Sequence, residues 1–338
     1  MSHEIQEHDN EVLYKQPAWN GLGDIIDSDM TPTEALEGHG LDWQVIKQPL
    51  FRECGNYLQA IDNRVALVRE DIDEYFGSVS PSYSIFQNRD LAEFCEALAE
   101  QDDTVSIESA GSIRNGQKVW FLLRGESFSV REEDEVCPYI LVSNAHDGKN
   151  AACVTPTTIR VVCSNTLHAV VPDVGSDRKR MTSKVSFSIN HFSTLPERLE
   201  EAKTALKLYG RQIEEHRTLV DVLASTDVSQ DIVRRFFAEQ WSRDFEPIPA
   251  NPQSKAQQRA YARAQLAWGT MERNFEEGLT LAGPTTWNMF NAYSDLVQHR
   301  RRRATEARRE EVTRGAVLYG IDAERTIRAF QAALSLAV

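Results

Sequence analysis

The fold class is decided by a stretch in the first half of the chain, residues 105–123, which reads VSIESAGSIRNGQKVWFLL. Two runs of apolar and small residues flank its dipeptide Asn115-Gly116. Both central positions of a tight hairpin turn need a positive φ, which asparagine and glycine adopt most readily. The stretch therefore predicts a β-hairpin. Large apolar side chains occupy both faces of its second strand, so we expect that strand to lie in the middle of a sheet.

Strand patterns continue on the C-terminal side of this hairpin. Residues 139–145 and 151–163 read as strands, with Asp147-Gly148 as a tight turn between them. Pro156 lacks a backbone donor, so it predicts a bulge or an edge position in the second strand. Residues 164–166 are Ser-Asn-Thr, the residue types that cap helices, and they predict a short helix running through residue 170.

Helix and strand patterns also precede the hairpin. Thr31-Pro32-Thr33-Glu34 is the signature of a capping box with proline in the first turn, so a short helix should begin there. Residues 41–50 and 64–69 have strand character, and Asp62-Asn63 reads as a turn before the second of them. Residues 88–100 carry apolar side chains at helical spacing.

The second half of the chain is helical in its periodicity. The pattern predicts helices over residues 197–222, 229–241, 254–275 and 286–315, with a last one from residue 323. The sequence therefore predicts an α+β protein, in which an antiparallel β-hairpin sheet with flanking helices precedes a mostly helical C-terminal half. We expect the domains to be residues 1–195 and 196–338.

Composition limits the functional classes. The net charge is −14 over 338 residues, so the overall field repels polyanions, and nucleic-acid binding would need a local basic surface. The five cysteines are odd in number and form no CxxC pair, which favours a reducing compartment and a cytoplasmic location. No apolar run approaches the length of a membrane span, and the first ten residues lack a signal-peptide core, so we expect no membrane association.

Short motifs spread over nearly the whole chain carry a family resemblance. They are residues 17–23 (PAWNGLG), 80–88 (SPSYSIFQN), 109–112 (SAGS) ahead of 118–120 (KVW), 144–148 (NAHDG), 159–167 (IRVVCSNTL) and 286–293 (TWNMFNAY). In these motifs the chain resembles a family of phage- and plasmid-related proteins of unknown function found on mobile elements. The resemblance implies DNA metabolism or host manipulation rather than primary metabolism.

The predicted order of elements, three strands followed directly by a helix, is similar in architecture to the core of single-strand annealing proteins. In that architecture the strands and helix border a groove for the nucleic-acid backbone, and subunits assemble into rings or filaments. The similarity implies single-stranded DNA as a partner and a homo-oligomer, although a fold alone does not establish a function.

A single-strand groove needs cations along the phosphates and flat side chains on which bases stack. We consider Trp120, Tyr139 and Phe187 as stacking platforms, while the alternative for Trp120 is a place in the core. A basic run at 178–184 is either a phosphate-binding loop or an ordinary solvated one. The candidate nucleic-acid-binding residues are Lys118, Arg124, Arg160, Asn165, Arg178, Lys179, Arg180 and Lys184.

The arginine run at residues 300–303 has two interpretations. Neighbouring helical positions are ~100° apart, so four consecutive arginines cannot form one stripe. They are either a solvated helix surface balanced by acidic residues such as Glu306 and Glu310, or a contact for phosphates or another subunit.

A catalytic or metal site has weak support in the sequence. His146, Asp147, Cys163 and His168 fall near one predicted sheet edge, but their spacings match no standard nucleophile or zinc pattern. Asp147 is explained by its turn and Cys163 by a buried strand position. A phosphate-binding glycine loop and an HExxH motif are absent from the sequence. We therefore expect no enzyme, no cofactor and no metal.

Two functional hypotheses remain, besides a less favoured metal-dependent enzyme. The first is a non-enzymatic nucleic-acid-binding protein of a mobile element, oligomeric and acting in single-strand annealing or single-stranded DNA binding. The alternative is a protein–protein effector whose acidic surface mimics DNA and inhibits a host defence complex, so that a host protein is the partner.

Overall fold

The computed structural model describes residues 13–14, 24–25, 30–131, 134–149, 152–160, 165–168, 171–172, 181–182, 187–188, 195–245, 251–300 and 321–337. Antiparallel β-sheets fill the N-terminal half and helices fill most of the C-terminal half, so the predicted α+β class is confirmed. None of the described helices has the length and hydropathy that crossing a membrane requires.

The chain forms two compact units. The first consists of Met1–Glu126, Pro138–Thr157 and Lys184–Arg211, and the second of Ser127–Cys137, Thr158–Ser183 and Gln212–Val338. The domain boundary between residues 195 and 196 stays a prediction about independent folding.

The early part of the chain contains two helices and several strands. They are β1 (Leu13–Tyr14), β2 (Asp24–Ile25), α1 (Pro32–Gly38), β3 (Val45–Cys54), β4 (Tyr57–Arg69), β5 (Glu74–Val79) and α2 (Asn88–Gln101). The predicted capping box of α1 is confirmed, because the Thr31 hydroxyl accepts a hydrogen bond from the Glu34 backbone N–H and the Glu34 carboxylate accepts one from Thr31. Helix α2 is confirmed as well.

The remaining elements follow in chain order. The strands are β6 (Ser106–Ile113), β7 (Lys118–Arg124), β8 (Phe128–Val130), β9 (Asp134–Ala145), β10 (Cys153–Arg160), β11 (Asn165–His168), β12 (Val171–Pro172), β13 (Met181–Thr182) and β14 (Phe187–Ser188). The helices are α3 (Leu195–Ser225), α4 (Gln230–Asp244), α5 (Lys255–Ala282), α6 (Thr286–Asp295), continued by a π-helical turn at Leu296–Arg300, and α7 (Ile321–Ala337).

The first unit contains two sheets. Its larger sheet has the order β10-β9-β7-β6-β1-β2, with β14 paired to β10, and its smaller sheet has the order β3-β4-β5. In the second unit β8 pairs with the start of β9, and β11 lies next to the end of β10. Strand β7 therefore has a neighbour on each side, as its two apolar faces predict.

The predicted hairpin at Asn115-Gly116 is confirmed, with a longer loop. Strands β6 and β7 pair up to Ile113 and Lys118, and the loop between them contains three residues of positive φ in succession: Arg114 at 58°, Asn115 at 54° and Gly116 at 90°. A Cβ at Gly116 would overlap the indole ring of Trp43, so this position needs glycine for both conformation and space.

Two local predictions are wrong, and a third is only partly tested. The expected helix after residue 164 is instead strand β11, because a single turn of helix is unstable alone while the edge of β10 offers backbone partners. Strand β10 has neighbours on both sides, so Pro156 does not lie on an edge strand, and the alternative that it marks a bulge stays a prediction. Asp62-Asn63 lies inside β4, and the turn lies instead at Gly55-Asn56. A register shift between Pro49 and Phe51 accommodates Asp62 and Asn63 as a bulge.

The helical predictions are confirmed in position, with different ends. Ser229 and Ser254 cap α4 and α5 through their hydroxyl oxygens, and α5 extends to Ala282. The long helix predicted over residues 286–315 is described only as α6 and the π-helical turn; arginines 301–303 lie outside the described residues.

Candidate nucleic-acid interface

The central sheet places several predicted site residues on one face. Side chains alternate along a strand, so Lys118, Trp120 and Arg124 of β7 share a face, and Tyr139 of β9 is the pairing partner of Arg124. However, Trp120 and Tyr139 are only 2% and 3% exposed. They are core residues and cannot serve as stacking platforms in this conformation.

Arg124 is engaged by a buried carboxylate. Its Nη1 lies 3.9 Å from Oε2 of Glu108, which is buried and accepts hydrogen bonds from the Tyr139 hydroxyl at 3.0 and 3.1 Å. A buried carboxylate needs such compensation for its lost hydration. The positive charge of Arg124 therefore compensates a buried carboxylate. If Arg124 bound a phosphate, Glu108 would lose part of this compensation.

The structure describes only some of the other predicted site residues. Arg160 ends β10 and Asn165 begins β11, on adjacent strands. Phe187 pairs with Val154 at the start of β10. Arg178, Lys179, Arg180 and Lys184 lie outside the residues that the structure describes.

His146 belongs to a buried polar network. Its Nε2 lies 2.8 Å from Oδ1 of Asn88, whose Nδ2 donates to the Leu41 carbonyl. Its ring makes edge contact with Trp43 at 5.5 Å and stacks on Phe76 at 6.0 Å. Asp147 accepts a hydrogen bond from the Lys149 backbone in the turn that the sequence predicts for it. Cys163 lies outside the described residues, within which no cluster of three or more histidine, cysteine or carboxylate groups could hold a metal.

The motif at residues 286–293 builds the core of the second unit. The Trp287 indole N–H donates to Oδ2 of Asp134 at 2.8 Å, and Asn288 Nδ2 donates to the Phe275 carbonyl at 2.8 Å. The Tyr293 hydroxyl donates to Asp244. All eight residues of the motif are buried. The side chains of this motif therefore fix neighbouring elements rather than line an open catalytic pocket.

The first part of α5 is an exposed basic segment that the predicted site did not include. Ala264, Met271 and Phe275 are buried and define the inward face of the helix. Lys255 and Arg259 stand four residues apart and are exposed. Together with the exposed Arg263, four residues further on, they form what we call the α5 cation stripe. Because four helical residues rise ~6 Å, the cations form a row with the spacing of consecutive charges on an extended polyanion.

Within the described residues, no acidic side chain pairs with the α5 cation stripe. Residues 247–271 contain no aspartate or glutamate, in a chain whose net charge is −14. Within the described part of the chain, no ion pair or side-chain hydrogen bond engages any of the three cations. Cations next to the stripe are paired: Arg234 lies 3.6 Å from Glu272, and Arg273 lies 3.9 Å from Glu277. The stripe is thus a local positive surface of the kind that an acidic nucleic-acid-binding protein requires.

One further side chain lies beside the stripe. Leu266 is 74% exposed and shares the side of the helix that carries Lys255 and Arg259, because neighbouring positions are ~100° apart. An apolar group beside cations is suited to contacts with sugars and bases. Tyr261 is half-buried on another side of α5, where its hydroxyl accepts a hydrogen bond from Gln265 Nε2 at 2.9 Å. A scan for acid-free windows could have found this segment in the sequence, because its signal is a local departure from the overall charge.

A family model described as a domain of unknown function, DUF932, matches residues 75–318. Neither the curated proteins nor the solved structures contain a match to this chain. The matched region includes both the central hairpin and the α5 cation stripe. The chain belongs to the DUF932 family.

Proposed function

We propose that this protein binds single-stranded DNA without catalysing a reaction, as a homo-oligomer that acts in single-strand annealing or single-strand protection on a mobile element. The observation that carries the proposal is the α5 cation stripe, three exposed cations in a row that no described residue pairs, on an otherwise acidic protein. Phosphate contacts supply most of the affinity in such proteins, and they require cations that are not already neutralised.

The mobile-element context comes from the resemblance of the short motifs to phage- and plasmid-related proteins. Single-stranded rather than double-stranded DNA is favoured by the apolar group beside the stripe. Leu266 offers exposed apolar surface to unstacked bases, which a closed duplex does not expose.

The test is a fluorescence-anisotropy titration with a labelled single-stranded oligonucleotide at ~50 mM salt and above. The slope of log affinity against log salt is ≈ −0.7 per phosphate contact for single strands, so replacing all three cations with glutamine should reduce it by about 2. The affinity at low salt should fall at least ~10-fold. Absence of binding by the unaltered protein at ~50 mM salt would refute the proposal.

A matched control distinguishes the effect of the stripe on DNA binding from the effect of the net charge. The triple variant Lys203→Gln, Arg234→Gln and Arg273→Gln removes the same charge, but each of these cations already faces a glutamate. Its salt slope should stay close to that of the unaltered protein. Equal losses in both triple variants would indicate a nonspecific field effect and contradict a defined phosphate-binding row.

The second candidate, an effector that mimics DNA, rests on the net charge of −14. It predicts a stable complex with a basic host protein and no affinity for the oligonucleotide. A pull-down from host lysate beside the same titration distinguishes the two, because a salt-sensitive host partner without DNA binding would select the effector.

A further inference from the structure

Strands β3 and β4 continue beyond the end of β5, the third strand of their sheet. Strand β5 pairs with β4 only from Val65 to Arg69, whereas the ladder between β3 and β4 continues to Cys54 and Tyr57. We call residues 51–60 the hairpin arm. Every residue of the arm except Cys54, which is half-buried, is exposed. Both faces of this two-stranded ribbon are therefore open.

The hairpin arm presents large apolar side chains to solvent. Phe51 is 53% exposed, and Tyr57 and Leu58 are each 65% exposed. Tyr57 and Leu58 are neighbours on a strand, so they point to opposite faces. A hairpin of two strands is marginal on its own and normally buries such groups, so their exposure indicates an interaction surface.

The charge of the arm favours a protein partner over nucleic acid. Its only charged residues are Arg52 and Glu53, and the Arg52 guanidinium donates to Oε1 of Gln59 at 2.6 and 3.0 Å within the arm. Residues 57–61, on the outer edge of β4, carry no charge. Within the described part of the chain, no strand pairs with that outer edge before Val65.

We infer that the hairpin arm is a self-association surface and that its partner is a second copy of this chain. Two copies that each carry a net charge of −14 repel one another, so contact through a charge-poor patch such as the arm costs less electrostatic energy than contact between acidic surfaces. The open β4 edge accepts an identical antiparallel strand around a twofold axis, which closes the pair and satisfies backbone groups of both copies.

This inference rests on the proposed function for its biological purpose, since it identifies the surface through which the proposed homo-oligomer forms. The three large side chains of each arm can bury about 300 Å² per copy, less than the ~800 Å² of a standard interface. Self-association should therefore be reversible and concentration-dependent.

The test is multi-angle light scattering on the full chain without DNA, over protein concentrations from ~1 to ~200 µM, where an interface below the standard size should begin to form. The mass should rise with concentration for the unaltered protein. The triple variant Phe51→Ser, Tyr57→Ser and Leu58→Ser should remain a monomer with an unchanged circular-dichroism spectrum, because its three side chains are exposed. The controls Tyr75→Ser and Ile321→Ser, at positions that are each 55% exposed but outside the arm, should associate normally.

Cys54 gives an independent readout, since it lies at the end of β3 beside the turn of the arm. A short bismaleimide cross-linker should produce a covalent dimer at concentrations where the mass has risen. The experiment uses a Cys153→Ser, Cys163→Ser background, because Cys153 is half-buried like Cys54, whereas Cys95 and Cys137 are buried and should not react. In that background Cys54→Ser should abolish the product. A product that persists in Cys54→Ser would overturn the assignment of the arm.

Failure of this inference can be distinguished from failure of the proposed DNA binding, because neither light scattering nor cross-linking involves DNA. A serine triple variant that associates like the unaltered protein would overturn the inference and leave the cation stripe untouched. A serine triple variant that keeps its mass behaviour but loses oligonucleotide affinity would also overturn it, and would assign the arm to base stacking instead.

Discussion

Asp244 is the centre of a buried ion cluster, and replacing it with asparagine should destabilise the second unit. Its side chain is 2% exposed, accepts a hydrogen bond from the Tyr293 hydroxyl, and lies 2.6 Å from Nη2 of Arg328 and 3.8 Å from Nε of Arg325. The substitution keeps the volume of the side chain, removes its charge and replaces the oxygen that faces Arg328 with an amide donor. The resulting loss of stability therefore measures what the charge and its hydrogen bond to Arg328 contribute together.

The expected loss of stability depends on which other acidic residues each arginine still contacts. Removing one side of a buried ion pair costs about 3–5 kcal/mol when the remaining charge has no other partner. Here Arg325 retains Asp322 at 3.3 Å, and Arg328 is 42% exposed and retains Glu324 at 3.8 Å. The asparagine oxygen still accepts from Tyr293. We therefore expect a loss of about 2–3 kcal/mol, below the full penalty.

Urea unfolding followed by circular dichroism at the helical minimum measures this loss. The transition should shift to lower denaturant, whereas the slope, which reports the surface exposed on unfolding, should stay the same. The double variant with Arg328→Gln should cost at least ~1 kcal/mol less than the sum of the two single changes, because both remove the same ion pair. A loss smaller than ~0.5 kcal/mol for Asp244→Asn, or strict additivity, would refute the reasoning.

Three further predictions address other parts of the fold. Burial, reinforced by the hydrogen bond to Asp244, raises the pKa of Tyr293 above its ordinary value of 10.0. The stability of the fold should therefore be complete below that pH and fall as the pH rises through and above about 10. Tyr293→Phe should flatten this alkaline decline in urea unfolding, and an unchanged decline would contradict the assignment. Gly116→Ala forces a Cβ into Trp43 at a φ of 90° and should cost at least ~2 kcal/mol in the same assay, and a neutral effect would show that the loop can rearrange. Trp287→Phe leaves the buried Asp134 carboxylate without its indole donor and should cost about 1.5–3 kcal/mol, so a thermal midpoint equal to that of the unaltered protein would disprove the contact.

Local signals predicted most of the secondary structure because their causes are local. The capping box at Thr31 and the positive-φ pair at Asn115-Gly116 act within a few residues, and both form as expected. Residues 165–168 and the pair Asp62-Asn63 carry equally clear local signals for a helix and a turn, yet they become strand. In both cases a neighbouring strand offers a continuous ladder, which outweighs a cap or turn preference of about 1 kcal/mol.

The candidate site was harder to predict because charge alone does not show which cations are free. Lys118 and Arg124 are cations on the central hairpin, but only the register of the sheet shows that Arg124 faces a buried Glu108. The cations of the α5 stripe look unremarkable in a helical pattern. They stand out only once burial assigns the inward face of α5 and neighbouring arginines prove to be paired.

The sequence by itself determined the α+β class, the central hairpin and the positions of the helices, because apolar periodicity and turn chemistry are written in consecutive residues. Only the tertiary structure decided which side chains are available to a partner. Burial removed Trp120 and Tyr139 from the candidate surface, while the end of β5 left Phe51 and Tyr57 exposed on the hairpin arm. The reason is physical: exposure and ion pairing depend on residues distant in sequence, so they are defined only when the chain has folded.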